Sequence, residues 1–248
     1  NLGKRRASLG PYIQYLTVFS ILISMGIKTS LITALLPSPT VIEDFESYAA
    51  GEIPTGWKML DRGQLRPLKP SDMKADEYFR IVAEDDNTFV RAYTKGQAIQ
   101  MTLVNGERYQ WNLSSTPCLT WDWRAQKLPE GAREDEINDT GGAVYVTYSI
   151  NFLGIPRSIK YTYSSSLPVG TVVSFRGLKV LVVASGVNPT GEWMTIERNA
   201  AEDYRRLWKG RPPEEPRAVT LWSDSNSTGK EAIVDFDNLT IQSSCPGS

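Results

Sequence analysis

Two tryptophans interleaved with an acid and a base, Trp121-Asp122-Trp123-Arg124, form the stretch of this chain best equipped for recognition chemistry. Side chains alternate along a strand, so Leu119, Trp121 and Trp123 share one face and Thr120, Asp122 and Arg124 the other. Facing solvent, the indoles would be stacking platforms for sugar rings, with Asp122 and Arg124 as polar clamps. Facing inward, they are core, and Asp122 and Arg124 make a structural ion pair outside. Leu119 on the tryptophan face favours the second arrangement. A second constellation, Arg198, Asp203 and Arg205, would gather at the end of a strand where a helix begins. Its bland counterpart is capping by Asn199 and dipole compensation by Asp203.

Carboxylates supply two further chemistries. The body opens with EDFES and its final strand reads VDFDNLTI, so adjacent first and last strands would bring Glu46 towards Asp235 and Asp237. Like charges facing each other cost energy unless a cation lies between them. Calcium takes six to eight oxygen ligands, so a structural calcium held by Glu46, Asp235 and Asp237 is one expectation. Glycoside hydrolysis needs two carboxyl groups about 5–5.5 Å apart for retention or roughly 6.5–9.5 Å for inversion. Asp122 and Asp203 are the pair on offer, with no motif around them.

The elements that must position these residues are mostly strands. Period-two alternation recurs at 41–46, 78–83, 88–93, 97–104, 118–124, 143–150, 158–163, 178–184, 193–198, 218–223 and 231–241, broken by turn residues. One helix follows Asn199, with Glu202 and Asp203 in its first turn, Arg205, Arg206 and Lys209 towards its end, and Gly210 as its stop. Ala200, Tyr204, Leu207 and Trp208 share its apolar face. The pattern predicts an all-β fold, a jelly-roll β-sandwich with one short covering helix. The 58–76 stretch reads as an irregular loop. The acidic, Gly-rich 128–142 stretch reads as a surface loop beside the Asp122 face, with Asp139 as a binding candidate.

Composition removes several function classes. Histidine is absent, which excludes His-based triads and imidazole metal sites. Net charge is −1 with 27 Lys and Arg against 28 Asp and Glu, and no basic cluster marks a nucleic-acid footprint. Two cysteines, Cys118 and Cys245, either pair in an oxidising compartment or stay as thiols.

The first 40 residues are of another kind. Lys4, Arg5 and Arg6 precede an apolar run, Tyr12 to Leu36, in which only Lys28 is charged. A cleaved signal would use 16–27 as its h-region, but the best cleavage site, Ile32-Thr33-Ala34, has a bulky residue at its first position. The alternative is a transmembrane signal-anchor helix, long enough to span, with Lys28 costing about 2.5–3.5 kcal/mol unless it reaches an interface or partner. We expect the anchor: residues 1–40 as basic stub and spanning helix, and 41–248 as a β-sandwich domain. Basic residues before the run put the amino end in the cytoplasm and the body in the periplasm, single-pass in the inner membrane.

The run LTWDWR, then LPEGA, GGAVYVTY, RNAAEDYRRLW, SDSNSTG and FDNLTI resembles, in its order and over roughly residues 42–242, a bacterial family catalogued as domain of unknown function 3047. The resemblance implies a secreted or periplasmic β-sandwich without an assigned activity. DFES, Gly56-Trp57 and the closing DFDNLTI are also similar to galactose-binding-like jelly rolls, which implies ligand binding without catalysis and often a calcium near the ends. Where family members often carry paired acids before the AVYV strand, this chain has Asn138-Asp139-Thr140. The first functional expectation is a non-catalytic, membrane-anchored accessory subunit of a larger membrane complex, an energy-transducing one among the options. Its partners would be the bilayer and other membrane subunits, without nucleic acid. The alternatives are a carbohydrate-binding module for envelope or exported polysaccharide, and a glycan-active enzyme.

Overall fold

Strands that are apolar on alternate residues bury one side each, and two such sheets close face to face. The computed structural model describes residues 38–186 and 191–245. Its strands are β1 (Thr40–Glu43), β2 (Lys58–Asp61), β3 (Gln64–Pro67), β4 (Glu77–Glu84), β5 (Asn87–Lys95), β6 (Ala98–Val104), β7 (Cys118–Lys127), β8 (Thr140–Ile150), β9 (Pro156–Ser164), β10 (Val172–Phe175), β11 (Leu178–Ser185), β12 (Met194–Asn199), β13 (Ala218–Asp224) and β14 (Glu231–Gln242). One α-helix, α1 (Ala200–Trp208), joins β12 to β13. The six-stranded sheet has the order β12-β7-β14-β5-β4, with β1 also on β14; the eight-stranded sheet runs β10-β11-β9-β8-β13-β6-β2-β3. The chain passes repeatedly from one sheet to the other, as in a jelly roll. β9 and β11 pair in parallel.

The tryptophans of the WDWR motif point inward. Trp121 lies 5.7 Å from the Tyr161 ring and Trp123 5.3 Å from Tyr163, linking β7 to β9 across the interior. Truncating either would cost about 3–5 kcal/mol. The sheets approach closely at Gly142, where an added Cβ would sit 2.6 Å from a Val234 methyl. The EDFES motif plugs the core: Glu43, 4% exposed, accepts hydrogen bonds from Trp57 Nε1 at 2.9 Å and Phe45 N at 3.1 Å, and Phe45 stacks on Trp57.

Three strands departed from expectation. β2 and β3 form a hairpin inside the supposed 58–76 loop, and β10 was not anticipated. All three are four-residue strands with little buried surface, so alternation leaves almost no trace in them. The helix begins where predicted, Asn199 Oδ1 accepting from Glu202 N at 2.9 Å, but the left-handed residue at its end is Lys209, with φ 55°, one before Gly210. Cys118 and Cys245 are bonded. The expected spanning segment, 12–36, lies outside the described residues. Among those described, no helix is long and apolar enough to cross a membrane.

Candidate functional site on the six-stranded face

Strand register arranges the outer face of the six-stranded sheet in rows. Arg80 faces Arg91, Arg91 faces Asp235, and Asp235 faces Arg124. Trp193 follows beside Arg124, because Met194 is opposite Trp123. Asp235 is wholly buried. It accepts from Arg91 Nε at 2.7 Å and Nη2 at 3.0 Å, from Arg124 Nε at 2.9 Å and Nη2 at 2.8 Å, and from Gln126 Nε2 at 3.0 Å. Burial alone would penalise such a carboxylate heavily; two guanidiniums compensate it. Asp235 in turn raises Arg91 further above the ordinary arginine value. Arg124 also donates to Glu84 at 2.9 Å and lies 5.0 Å over Phe89 and 4.8 Å over Trp193.

The next row is aromatic. Tyr78 and Tyr93, opposite each other on β4 and β5, stack at 5.0 Å and are half-buried. Arg80 lies 4.7 Å over the Tyr78 ring, and Tyr93 OH donates to Glu231 at 2.8 Å. Trp193, 36% exposed, meets Phe89 edge-on. The face therefore combines flat rings at both margins with a fixed row of forked donors and acceptors between them. None of Arg91, Tyr78, Tyr93 or Trp193 was singled out in the sequence. The two-residue turn at Asp85-Asp86 sets Glu84 opposite Asn87; following that register would have found the tyrosine pair.

The residues that were singled out are dispersed. Asp122 is on this face but does not pair with Arg124; it accepts from Thr195 Oγ1 at 2.5 Å and Asn238 Nδ2 at 2.9 Å, since cross-strand neighbours lie closer than i+2 on one strand. Arg198 and Asp203 form a 2.6 Å ion pair. Its third member is Arg206, at 3.0 Å, and not Arg205, because i+3 shares a helix face and i+2 does not. Arg198 registers with inward-facing Leu119 whereas Asp122 registers with Thr195 outside, so Asp122 and Asp203 do not form a pair. Asp139, 1% exposed, holds the turn after β13 by accepting from Ser227 N and Thr228 N. The 128–142 segment lies not beside Asp122 but over the outer face of the other sheet. There Glu134 accepts from Thr162 Oγ1 and Ser164 Oγ, and Asn138 from the fully buried Lys160 at 3.2 Å. Burial brings Lys160 down to about 8 against the pull of Glu134, Asp224 and Asp139.

Of the three residues expected to hold calcium, Asp235 is occupied by its arginines. Asp237 accepts from Asn87 Nδ2 at 3.0 Å and Asn238 N at 2.8 Å. Its carboxyl is pushed up to about 6, first by burial and further by Asp122 and Glu46. Glu46 Oε1 accepts from Thr88 N at 3.0 Å. β1 and β14 are adjacent, as expected, yet among the described residues no three acids or cysteines stand where they would enclose a metal.

The family model described as Protein of unknown function (DUF3047) matches residues 56–240. No curated protein matches. Among solved structures, a family 11 carbohydrate-binding module of a cellulosomal cellulase from Clostridium thermocellum is similar at 11% identity and TM-score 0.43, covering 84% of this chain and 95% of that one. A Caldicellulosiruptor saccharolyticus carbohydrate-binding module, CBM27-1, in complex with mannohexaose, is similar at 12% identity and TM-score 0.41, covering 84% and 99%.

Proposed function

The chain belongs to the DUF3047 family, and from that premise we propose that its body is a non-catalytic binding module that takes a glycan on the outer six-stranded face. The observation that carries this reading is the stacked Tyr78–Tyr93 pair and exposed Trp193 on either side of the Arg91–Asp235–Arg124 row. Sugar rings offer apolar C–H faces to aromatic rings and hydroxyls to forked polar groups, so recognition needs both within one surface. Ion pairing holds the arginines in place before a ligand arrives, which lowers the ordering cost of binding.

The same reading places the body outside the inner membrane, held by the 12–36 run. The Cys118–Cys245 bond supports that address, since disulfides persist in oxidising compartments. Lys4, Arg5 and Arg6 ahead of the run support the orientation.

A polysaccharide panel, screened by affinity electrophoresis with the full chain, tests the reading. Tyr93→Ala and Trp193→Ala should each weaken binding roughly thirtyfold, the affinity equivalent of about 2 kcal/mol, with an unchanged circular dichroism spectrum. Absence of binding across neutral and acidic glycans would overturn it, as would release of product. Recovery of the chain in a stable membrane complex from mild detergent, without glycan binding, would favour the accessory-subunit role instead.

A further inference from the structure

From Thr140 to Gly191 the chain contains no Asp or Glu, but it carries Arg157, Lys160, Arg176 and Lys179. Lys160 is buried under the 128–142 segment. The other three gather around Trp208 at the end of the sandwich where β8 turns into β9. Arg157 and Lys179 each lie 5.0 Å from the Trp208 ring, and Arg157 Nη1 donates to Tyr204 OH at 3.0 Å. Arg157, Arg176, Asn151, Ser149 and Trp208 line a recess of about 220 Å³. None of the three cations makes an ion pair among the described residues.

An apolar tip stands beside the recess. Ile150 is 55% exposed, Phe152 95% and Leu153 62%. The turn that displays them is firmly built: Asn151 Oδ1 accepts from Leu153 N and Ile155 N, both at 2.9 Å, and Gly154 takes φ +75°. The β10–β11 turn docks against it through Gly177, where a Cβ would come within 2.5 Å of the Pro156 carbonyl oxygen. That docking brings Phe175, 41% exposed, and Arg176 alongside. Scattered exposed apolar residues are ordinary, whereas a cluster held out in water with a cationic collar marks a partner surface.

The partner must supply anions and an apolar phase in one layer. A bilayer with acidic headgroups does so, with phosphates at the boundary and acyl chains beneath. A glycan matches less well: Phe152 and Phe175 offer rings, but the branched Ile150 and Leu153 beside them give a sugar no flat surface. We propose that this end of the sandwich docks on an anionic lipid bilayer, the Arg157–Arg176 recess taking a lipid phosphate while Phe152 and Leu153 enter the acyl boundary.

The 12–36 run would itself hold the chain on vesicles, so the test must read the tip locally. The full chain bearing Phe152→Cys, labelled with an environment-sensitive fluorophore, is mixed with vesicles of phosphatidylglycerol and phosphatidylcholine, or of phosphatidylcholine alone. Emission should shift to the blue and be quenched by brominated acyl chains on the anionic vesicles only. A label at Asn226→Cys, beyond the opposite end of β13, should not respond. High salt should reverse the shift. Arg176→Ala should raise the lipid concentration for half-response at least about fivefold. Arg176 makes no hydrogen bond or ion pair among the described residues, so that loss would not be a folding effect. No shift on anionic vesicles overturns the proposal, as does an equal shift on phosphatidylcholine alone. A shift produced by soluble alginate without vesicles would assign the recess to an acidic glycan and overturn it as well.

Discussion

The six-stranded face and the β8–β9 end use the same residue types to opposite effect. On the face, Arg91 and Arg124 close on a buried Asp235 and rest against aromatic rings. At the end, Arg157 and Lys179 lie over Trp208 and Arg176 lines the same recess, with no carboxylate paired to any of the three among the described residues. Compensated charges are part of the scaffold: their geometry is set before any ligand arrives, and removing one member strands the others. Uncompensated charges contribute little to folding, and their counter-ions come from outside. An arginine next to an aromatic ring is therefore not informative until its acid has been located or found missing.

That contrast breaks most clearly at Asp235. Asp235→Ala leaves two guanidiniums over an apolar site and should cost about 3–5 kcal/mol in denaturant unfolding; a loss below about 1 kcal/mol would show that the arginines simply turn to solvent. The sheet carrying the paired face is also tied by Cys118–Cys245, whose residues are 127 apart in sequence. Cys118→Ser should lower stability by about 2–4 kcal/mol, read as a lower melting temperature that reductant no longer changes.

Asp237 sharpens the comparison, being a buried acid on the face whose hydrogen bonds come from Asn87 and the Asn238 backbone and not from an arginine. With its carboxyl pushed up to about 6, it binds a proton more readily folded than unfolded. That stabilisation is complete below the ordinary carboxylate value and is lost as pH rises through about 6. Asp237→Asn should accordingly stabilise the protein at pH 7.5 by about 1–3 kcal/mol and by almost nothing near pH 3.5; equal effects at both pH values would deny the shift. The smallest change is expected at the other region. Arg176→Ala and Phe152→Ser should each alter stability by less than about 0.5 kcal/mol, and a larger loss would mean that this end is part of the scaffold after all.

Much of the sandwich was legible from alternation alone, because strands such as β7 and β14 are long and buried on one side. Leu119 beside the tryptophans was enough to place Trp121 and Trp123 inside. β2, β3 and β10 escaped because four-residue strands at or near a sheet margin bury too little to leave a period. The site was less legible than the fold. Asp122, Arg124 and Asp235 were picked out on one sheet, but their partners depend on which strand lies next to which, and β14 between β5 and β7 is a long-range pairing. Arg198, Asp203 and Arg205 are near one another in sequence, but helix geometry brings Arg206, at i+3, to Asp203. The tip at Phe152 was invisible: INFLGI reads like any strand end until its exposure is known.

The position of β14 has a consequence for how the molecule comes into being. It lies between β5 and β7 and also carries β1, so during synthesis the strands on either side of it wait with open edges until residues 231–242 emerge. Those pairings span long stretches of sequence and form slowly. A chain that cannot close its central sheet early keeps strand edges open for longer, a liability for any product cut short before Glu231, which would leave two unpaired edges for aggregation.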